Sequence, residues 1–246
     1  MSETIKVATW NVGQDLKNNE INEDSYKYIK TQIEQNEVDI IAFQEAITES
    51  NNLESLANYI SQNTKLKYNE QISLSPSDMN ENDKMGVAVC SKFKISNNEN
   101  YILENPNLIY KKTETITYWS HDKGFNISEI KELNTIVIGG HCLPFHIFGE
   151  TPLNYKRIYE KLEDKILNMI KTKKNVILLG DFNYTNIFEL FSNLKDKMQC
   201  VYEDENTRKN KQIDYILTTK NIKNDDYKII DTRFDHKLCV AELTIN

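Results

Sequence analysis

The sequence is sparsely punctuated. Seven glycines and four prolines are spread over 246 residues, and no Ser/Gly/Pro-rich stretch divides them, so one continuous domain over residues 1–246 is expected. No run approaches the ~20 uninterrupted apolar residues that a membrane helix needs, which speaks against a membrane span. An excess of positive charge is also missing: 30 Lys and Arg stand against 37 Asp and Glu, for a formal net charge of −7. Indiscriminate nucleic-acid binders displace counterions with a basic face, so the balance argues against broad charge-driven binding and leaves room only for a local basic rim. Cys90, Cys142, Cys200 and Cys239 lie far apart, with no CxxC or Cys/His metal spacing. They read as buried reduced thiols. The first residues, Met1-Ser2-Glu3-Thr4-Ile5-Lys6, show neither a basic n-region nor an apolar h-region. Together these set the expectation of a cytoplasmic protein, the alternative being a mature secreted form whose signal was trimmed.

What is present is a core-forming pattern. Apolar residues make up 39% of the chain, in short β-rich stretches alternating with longer helical ones. The periodicity predicts strands at Ile5–Trp10 and Val38–Phe43, a helix from Ser25 to Glu37 with Tyr28, Ile29 and Ile33 on one face, and a helix through Leu53, Leu56 and Ile60. From residue 65 to 138 it predicts strands at 68–74, 86–93, 101–103, 114–119, 124–130 and 135–139. A helix follows from Asn154 to about Lys171, with Ile158, Leu162, Ile166, Met169 and Ile170 at helical spacing, then a buried strand at Val176–Leu179. A second helix near Phe188–Lys195 precedes strands at 213–217, 227–231 and 238–245. Helix and several strands occur twice, which fits an α/β (α+β) arrangement of two mostly antiparallel sheets packed face to face with helices outside.

Polar residues collect where these strands end. Asn11 follows the first strand, Glu45 the second, and His141 closes Ile136-Val137-Ile138-Gly139-Gly140. Asp181 and Asn183 follow Val176–Leu179, Asp214 sits in an apolar run from Ile213 to Leu217, and Asp235-His236 precede the last strand. Asp181 and Asn183, two apart, share a side while Phe182 packs away. Asp235 and His236 need a turn to reach one site. Taken singly, each has a plain reading: Glu45 as a solvated strand end, Asn11 as a cap, Asp181-Phe182-Asn183 as an Asx-type turn, His141 as a core histidine. Asp214 fits least well, because a charge inside an apolar run is costly unless paired. Together the set supplies hard oxygen ligands for Mg²⁺ or Mn²⁺ and imidazoles for proton or charge work, the equipment for hydrolysing a phosphate ester.

Thr9-Trp10-Asn11-Val12-Gly13, Phe43-Gln44-Glu45, the stretch from Gly86 to Phe93, Gly140-His141-Cys142-Leu143-Pro144, Gly180-Asp181-Phe182-Asn183, the stretch from Gln212 to Leu217 and Asp235-His236 resemble, in order, the motif series of the endonuclease/exonuclease/phosphatase (deoxyribonuclease I-like) superfamily. The resemblance spans residues 5 to 245. It implies a four-layer sandwich with its active site at one edge of the two sheets. It further implies Glu45 as principal metal ligand, with Asn11 beside it and Asp235 completing the shell, for Mg²⁺ or Mn²⁺ in its place. Asp181 resembles the residue that orients or deprotonates water, Asn183 its partner at the phosphate, Asp214 the carboxylate that holds His236, and His141 the second imidazole. Phe234 replaces the usual Ser before the Asp-His pair, and little chain separates Asn183 from Asp214 for recognition loops.

The resulting expectation is a monomeric Mg²⁺-dependent phosphodiesterase, a nuclease or DNA-repair-type enzyme, acting on nucleic acid without a stable protein partner. Its alternative is a phosphatase or phosphodiesterase for a small-molecule or lipid phosphoester, of sphingomyelinase or inositol-phosphatase kind; a catalytically silent binding module on the same fold is the third reading. Tyr184, Arg208 and Lys211 are candidate substrate contacts, on or near a loop from Glu203 that leads into Asp214. Lys111-Lys112, Arg157, Lys209, Trp119 and Tyr110 are weaker ones, since lysine pairs are mostly solvated and lone aromatics mostly core. His121 and His146 are set aside as surface or core histidines.

Overall fold

In the computed structural model, which describes residues 2–77, 80, 82–172 and 174–245, two similar halves follow one another. The first comprises β1 (Glu3–Asn11), α1 (Glu23–Gln35), β2 (Ile40–Glu49), α2 (Leu56–Asn63), β3 (Tyr68–Pro76) and β4 (Lys84–Ser91). The second runs through β5 (Asn97–Ile102), β6 (Ile109–Lys111), β7 (Thr117–Trp119), β8 (Gly124–Ile130), β9 (Thr135–His141), α3 (Arg157–Lys171) and β10 (Asn175–Asp181). The chain ends with α4 (Ile187–Leu190), β11 (Met198–Cys200), β12 (Asp214–Thr219), β13 (Lys223–Ile230) and β14 (Leu238–Ile245). One six-stranded sheet has the order β13-β14-β1-β2-β4-β3, the other β11-β12-β10-β9-β8-β5, and β6-β7 is a separate ribbon. The pairs β1–β2 and β9–β10 are parallel and the rest antiparallel, so both sheets are mixed and mostly antiparallel, as expected.

Strand alternation divides the apolar side chains into three layers. Ile5 and Val7 of β1 meet Val137, Ile177, Leu179 and Ile216 between the sheets. Their neighbours Ala8 and Trp10 face outward and pack with Ile29 and Ile33 of α1 and Ile60 of α2. On the other side Leu178 and Leu217 pack with Leu162 and Ile166 of α3. Helix, sheet, sheet and helix thus form four layers, with each fully buried Leu or Ile contributing about 1.5–3 kcal/mol. Asn22 starts α1 by accepting from the amides of Asp24 and Ser25, while Ser25 Oγ accepts from the Asn22 amide. Ser55 caps α2 by accepting from the Asn58 amide at 3.3 Å, which leaves Leu53 outside the helix. Pro152 belongs to a 3-10 turn, Pro152–Tyr155, so α3 begins at Arg157 and not at Asn154.

Other expectations shift for local reasons. The helix expected near Phe188–Lys195 is reduced to the single turn of α4 and a 3-10 turn at Ser192–Leu194, because buried Glu163 of α3 accepts from both the Asn193 amide and Asn193 Nδ2, at 2.7 and 2.8 Å. The strand expected over 114–119 keeps only Thr117–Trp119, since Thr113 Oγ1 turns the chain by accepting from the amides of Thr115 and Ile116. The strand expected at 101–103 lies earlier, at Asn97–Ile102. β6 and β11, three residues each, were not anticipated. The cysteines are free thiols, and all but Cys200 are buried. Among the described residues no helix is long and apolar enough to cross a membrane.

Candidate active site

The inward-facing row of each central strand changes from apolar to polar at the same end. On β1 the series Ile5, Val7, Thr9 ends at Asn11; on β9 Val137 and Gly139 lead to His141; on β10 Ile177 and Leu179 lead to Asp181. Register then sets the ends side by side, with Asp181 opposite His141 on β9 and opposite Asp214 on β12. Asn11 Nδ2 crosses from the other sheet and donates to Asp181 Oδ2 at 3.0 Å. Asp181 Oδ1 accepts from the Asn183 amide at 2.9 Å, so the Asx-type turn and the shared site are both present. Asn183 adopts the left-handed region, φ 52°, and its Nδ2 donates to Cys142 O at 3.0 Å. Phe182 packs away into the α3 side of the core.

Glu45 reaches the site by an unforeseen device. β2 does not end at Phe43 but runs on to Glu49, and its pairing with β4 skips Glu45 between Gln44 and Ala46. Glu45 sits at φ 53°, a left-handed residue at a bulge, which turns aside a side chain that strict alternation would send toward the helices. Gly13 makes room for it, since a Cβ there would lie 1.9 Å from Glu45 Oε2.

Asp235 and His236 lie in a turn, not a strand, and the turn brings both to the same cavity. His236 Nδ1 donates to both carboxylate oxygens of Asp214 at 3.0 Å, and its Nε2 lies 3.7 Å from Asp181 Oδ2. This pairing answers the cost of placing Asp214 inside an apolar strand. Burial opposes charge on His236, but the carboxylates of Asp214 and Asp181 outweigh it and push the imidazole up to about 9. Burial and the Asp214 charge push Asp181 up to about 7, against the pull of His236 and of the Asn11 hydrogen bond. His141 goes the other way: burial, then the positive charges of Lys123, His236 and Arg208, hold it well below its ordinary value. Lys123 Nζ donates to His141 Nδ1 at 3.3 Å. At its other nitrogen, His141 Nε2 lies 3.3 Å from Asn183 Nδ2 and 3.7 Å from both Glu45 Oε1 and Asp181 Oδ2.

These groups line a cavity of about 280 Å³ that Glu45, Asp181, Asn183, Arg208, Asp235 and His236 share. Its opposite wall is apolar and aromatic: Tyr118, Trp119, Ile147 and Phe148. Every expected site residue except Tyr184 and Lys211 either lines this cavity or bonds through its side chain to a residue that does; those two line an adjoining one with Arg208. His121 and His146, set aside from the sequence, line the first and second cavities respectively. Lys123 was missed, and nothing in its local sequence marks it; only the β8–β9 register, which pairs Gly124 with His141, places it. Phe234 replaces a hydroxyl with a ring packed edge-on against Trp10, centroids 5.1 Å apart.

The donor set fits a divalent cation. Asp181 and Asp214 place carboxylate oxygens within 4.8 Å of one another, His236 being committed to Asp214, and Glu45 adds a carboxylate whose space is kept open by Gly13. Asp235 is less free than expected, because its Oδ2 accepts from Arg208 Nε and Nη2 at 3.0 and 2.7 Å. Hard oxygen donors of this kind suit Mg²⁺ or Mn²⁺.

Solved structures share the architecture. An endonuclease/exonuclease/phosphatase family protein from Leptotrichia buccalis C-1013-b aligns with a TM-score of 0.67 at 18% identity, covering 97% of this chain and 99% of that one. The catalytic domain of human Nocturnin, solved with a bound sulfate anion, aligns at 0.67 and 16% identity, covering 99% and 94%. ANGEL2, a 2',3'-cyclic phosphatase solved with adenosine-2',3'-vanadate, aligns at 0.63 and 13% identity, covering 99% and 96%. At such identities the likeness is one of fold. No curated protein sequence matches this chain. The family model described as Endonuclease/Exonuclease/phosphatase family matches residues 8–232, from the second half of β1 through β13, with all but the last two site residues, Asp235 and His236; on that match, nearly the length of the sandwich, the chain belongs to this family.

Proposed function

We propose that this protein is a Mg²⁺-dependent phosphodiesterase, with Mn²⁺ able to substitute, that cleaves nucleic acid. The family is one of phosphoester hydrolases. The observation that carries the reading is the buried row His141, Asp181, Asp214–His236 on the floor of a cavity: one carboxylate held near neutrality between an imidazolium and a neutral imidazole.

Glu45 and Asn11 would hold the cation, with Asp235 contributing the oxygen that Arg208 leaves free. A cation there supplies positive charge against the non-bridging phosphate oxygens. The chain's own groups do the rest. Asp181, fixed through both oxygens by Asn11 Nδ2 and the Asn183 amide, orients the attacking water and takes its proton; a base titrating near 7 is well matched to that task. His236, held by Asp214, places positive charge where the pentavalent phosphorus builds negative charge. His141, on the other flank of Asp181, presents Nε2 and the Asn183 side-chain amide beside it to a phosphate or leaving oxygen. Trp119, 58% exposed on the cavity wall, offers a face for a base to stack on. The sulfate in Nocturnin and the adenosine vanadate in ANGEL2 support a phosphate-like ligand on this fold.

A second reading, a small or lipid phosphoester, is favoured by one observation: the cavity wall carries exposed apolar groups, Ile147 at 42% and Tyr118 at 39% exposure. Labelled DNA, labelled RNA and small or lipid phosphoesters, each assayed with Mg²⁺, Mn²⁺ or chelator, separate the two. Nucleotide release from DNA or RNA is the expected result. Turnover of lipid or small esters alone would move the protein to the second reading, and no turnover of any substrate would leave a silent binding module.

A further inference from the structure

A second cavity, of about 430 Å³, adjoins the catalytic one and shares Asn183 and Arg208 with it as a common wall. Lys209, Lys211, Tyr184 and His146 also line it. In a chain of net charge −7 this is a locally basic recess, and the turn that carries its cations is held by backbone hydrogen bonds. Arg208 and Lys211 bond to each other through amide and carbonyl in both directions at 3.1 Å, closing a two-residue loop in which Lys209 takes φ 51°. Fully buried Thr207 anchors that loop to the catalytic floor: its Oγ1 accepts from the amides of Ile213 and Asp214 at 3.1 Å, and its carbonyl accepts from the Lys237 amide at 2.8 Å. Among the described residues no carboxylate forms an ion pair with Lys209 or Lys211. Glu150, the acid in the lining, accepts from Asn154 Nδ2 at 3.2 Å. Tyr184 donates its hydroxyl to Glu189 at 2.7 Å, which fixes the ring at the cavity edge. Burial, then the charges of Lys211 and Arg208, hold His146 below its ordinary value, consistent with a recess short of negative charge.

We propose that this cavity is an anion subsite that takes the phosphate next to the scissile one on a substrate strand, with Lys209 and Lys211 as its charge partners and Arg208 standing between the two phosphates. This rests on the phosphodiesterase reading above. The substrate then spans the Asn183–Arg208 wall, and recognition uses a short fixed turn where the chain has little length for a larger loop. Arg208, forked onto Asp235, is positioned for its neighbours and not left to search solvent.

Two arms test it, both on wild type and the Lys209→Ala/Lys211→Ala variant with Mg²⁺ present. Inorganic phosphate is titrated while amide resonances are followed by NMR. Saturable shifts at residues 183–184 and 207–211 are expected, and they should disappear from 183–184 and 207–208 in the variant. No shift there, or the same response in the variant, overturns the subsite whatever the true substrate is. In the second arm, KM is compared for an oligonucleotide with a normal flanking phosphate and one with a neutral methylphosphonate in its place. A ratio of about tenfold in wild type that collapses toward one in the variant is expected, and an equal ratio in both contradicts the proposal. Failure of wild type to cleave any oligonucleotide would overturn the nucleic-acid reading separately, with the phosphate arm still deciding the subsite.

Discussion

Asp181 is where the charges of the site conflict. It is buried against Asp214, and the same burial that raises it makes His236 the nearest source of relief, 3.7 Å away. Asp181→Asn should therefore lower phosphodiester turnover by about 10²–10⁴ while the melting temperature in chelator, measured above pH 7, stays level or rises. A large loss of stability would instead make Asp181 a structural residue. Trp119 gives a second prediction at this scale. Because its exposed indole forms the wall and not the floor, Trp119→Ala should raise KM for nucleic acid by an amount corresponding to about 1–3 kcal/mol, with a smaller effect on kcat in steady-state kinetics. The sequence made most of these residues visible as polar interruptions of apolar runs, with Asp214 the clearest because nothing else explained a charge between Ile213 and Tyr215. It could not show that His121 lines the cavity or that Lys123 bonds to His141, since both depend on strand pairing.

At the scale of elements, the β2 bulge and the Thr207 anchor do the positioning. Gly13→Ala puts a Cβ 1.9 Å from Glu45 Oε2 and 2.7 Å from its Cβ, so it should displace Glu45 and weaken divalent-cation binding in titration calorimetry. Unchanged affinity would remove Glu45 from the cation site. Thr207→Val keeps the shape but leaves the amides of Ile213 and Asp214 without their acceptor, and about 1–3 kcal/mol of stability should be lost in denaturant unfolding. Here the sequence was readable where apolar alternation is strong, as in β1, β10, β12 and β14. It misled where polar side chains capture the backbone: Glu163 cuts the helix expected after Phe188 to one turn, and Thr113 shortens β7. The extension of β2 past Phe43 was not legible, because a left-handed glutamate at a bulge has no sequence signature comparable to glycine.

For the whole molecule, two stacked sheets bring polar strand ends from both halves to one edge, and the sign of the pH response follows. The folded values of Asp181, about 7, and His236, about 9, lie above the ordinary 3.8 and 6.5. Both groups bind their protons more tightly folded than unfolded, so their stabilisation is full at low pH and is lost as pH rises through those values. In chelator the melting temperature should fall between about pH 4 and 9, more gently below pH 7 in Asp181→Asn, and Mg²⁺ should restore more of it at pH 8 than at pH 6 because a cation held beside Asp181 is favoured once that carboxyl is ionised. The twofold rhythm of helix and strands was legible at this scale, and the sandwich followed from it; the two strand registers that set Asp181 beside both His141 and Asp214 were not, because pairing between distant strands is fixed by tertiary packing.

The central claim is that Asp181, between His141 and the Asp214–His236 pair, activates water against a phosphodiester held with a divalent cation. Its most direct test is the initial rate of phosphodiester hydrolysis by wild type and Asp181→Asn, each with Mg²⁺ and with excess chelator. Hydrolysis by wild type that chelator abolishes and Asp181→Asn lowers at least about 10²-fold is the result expected. Hydrolysis equal in the two proteins, or undiminished by chelator, would contradict it.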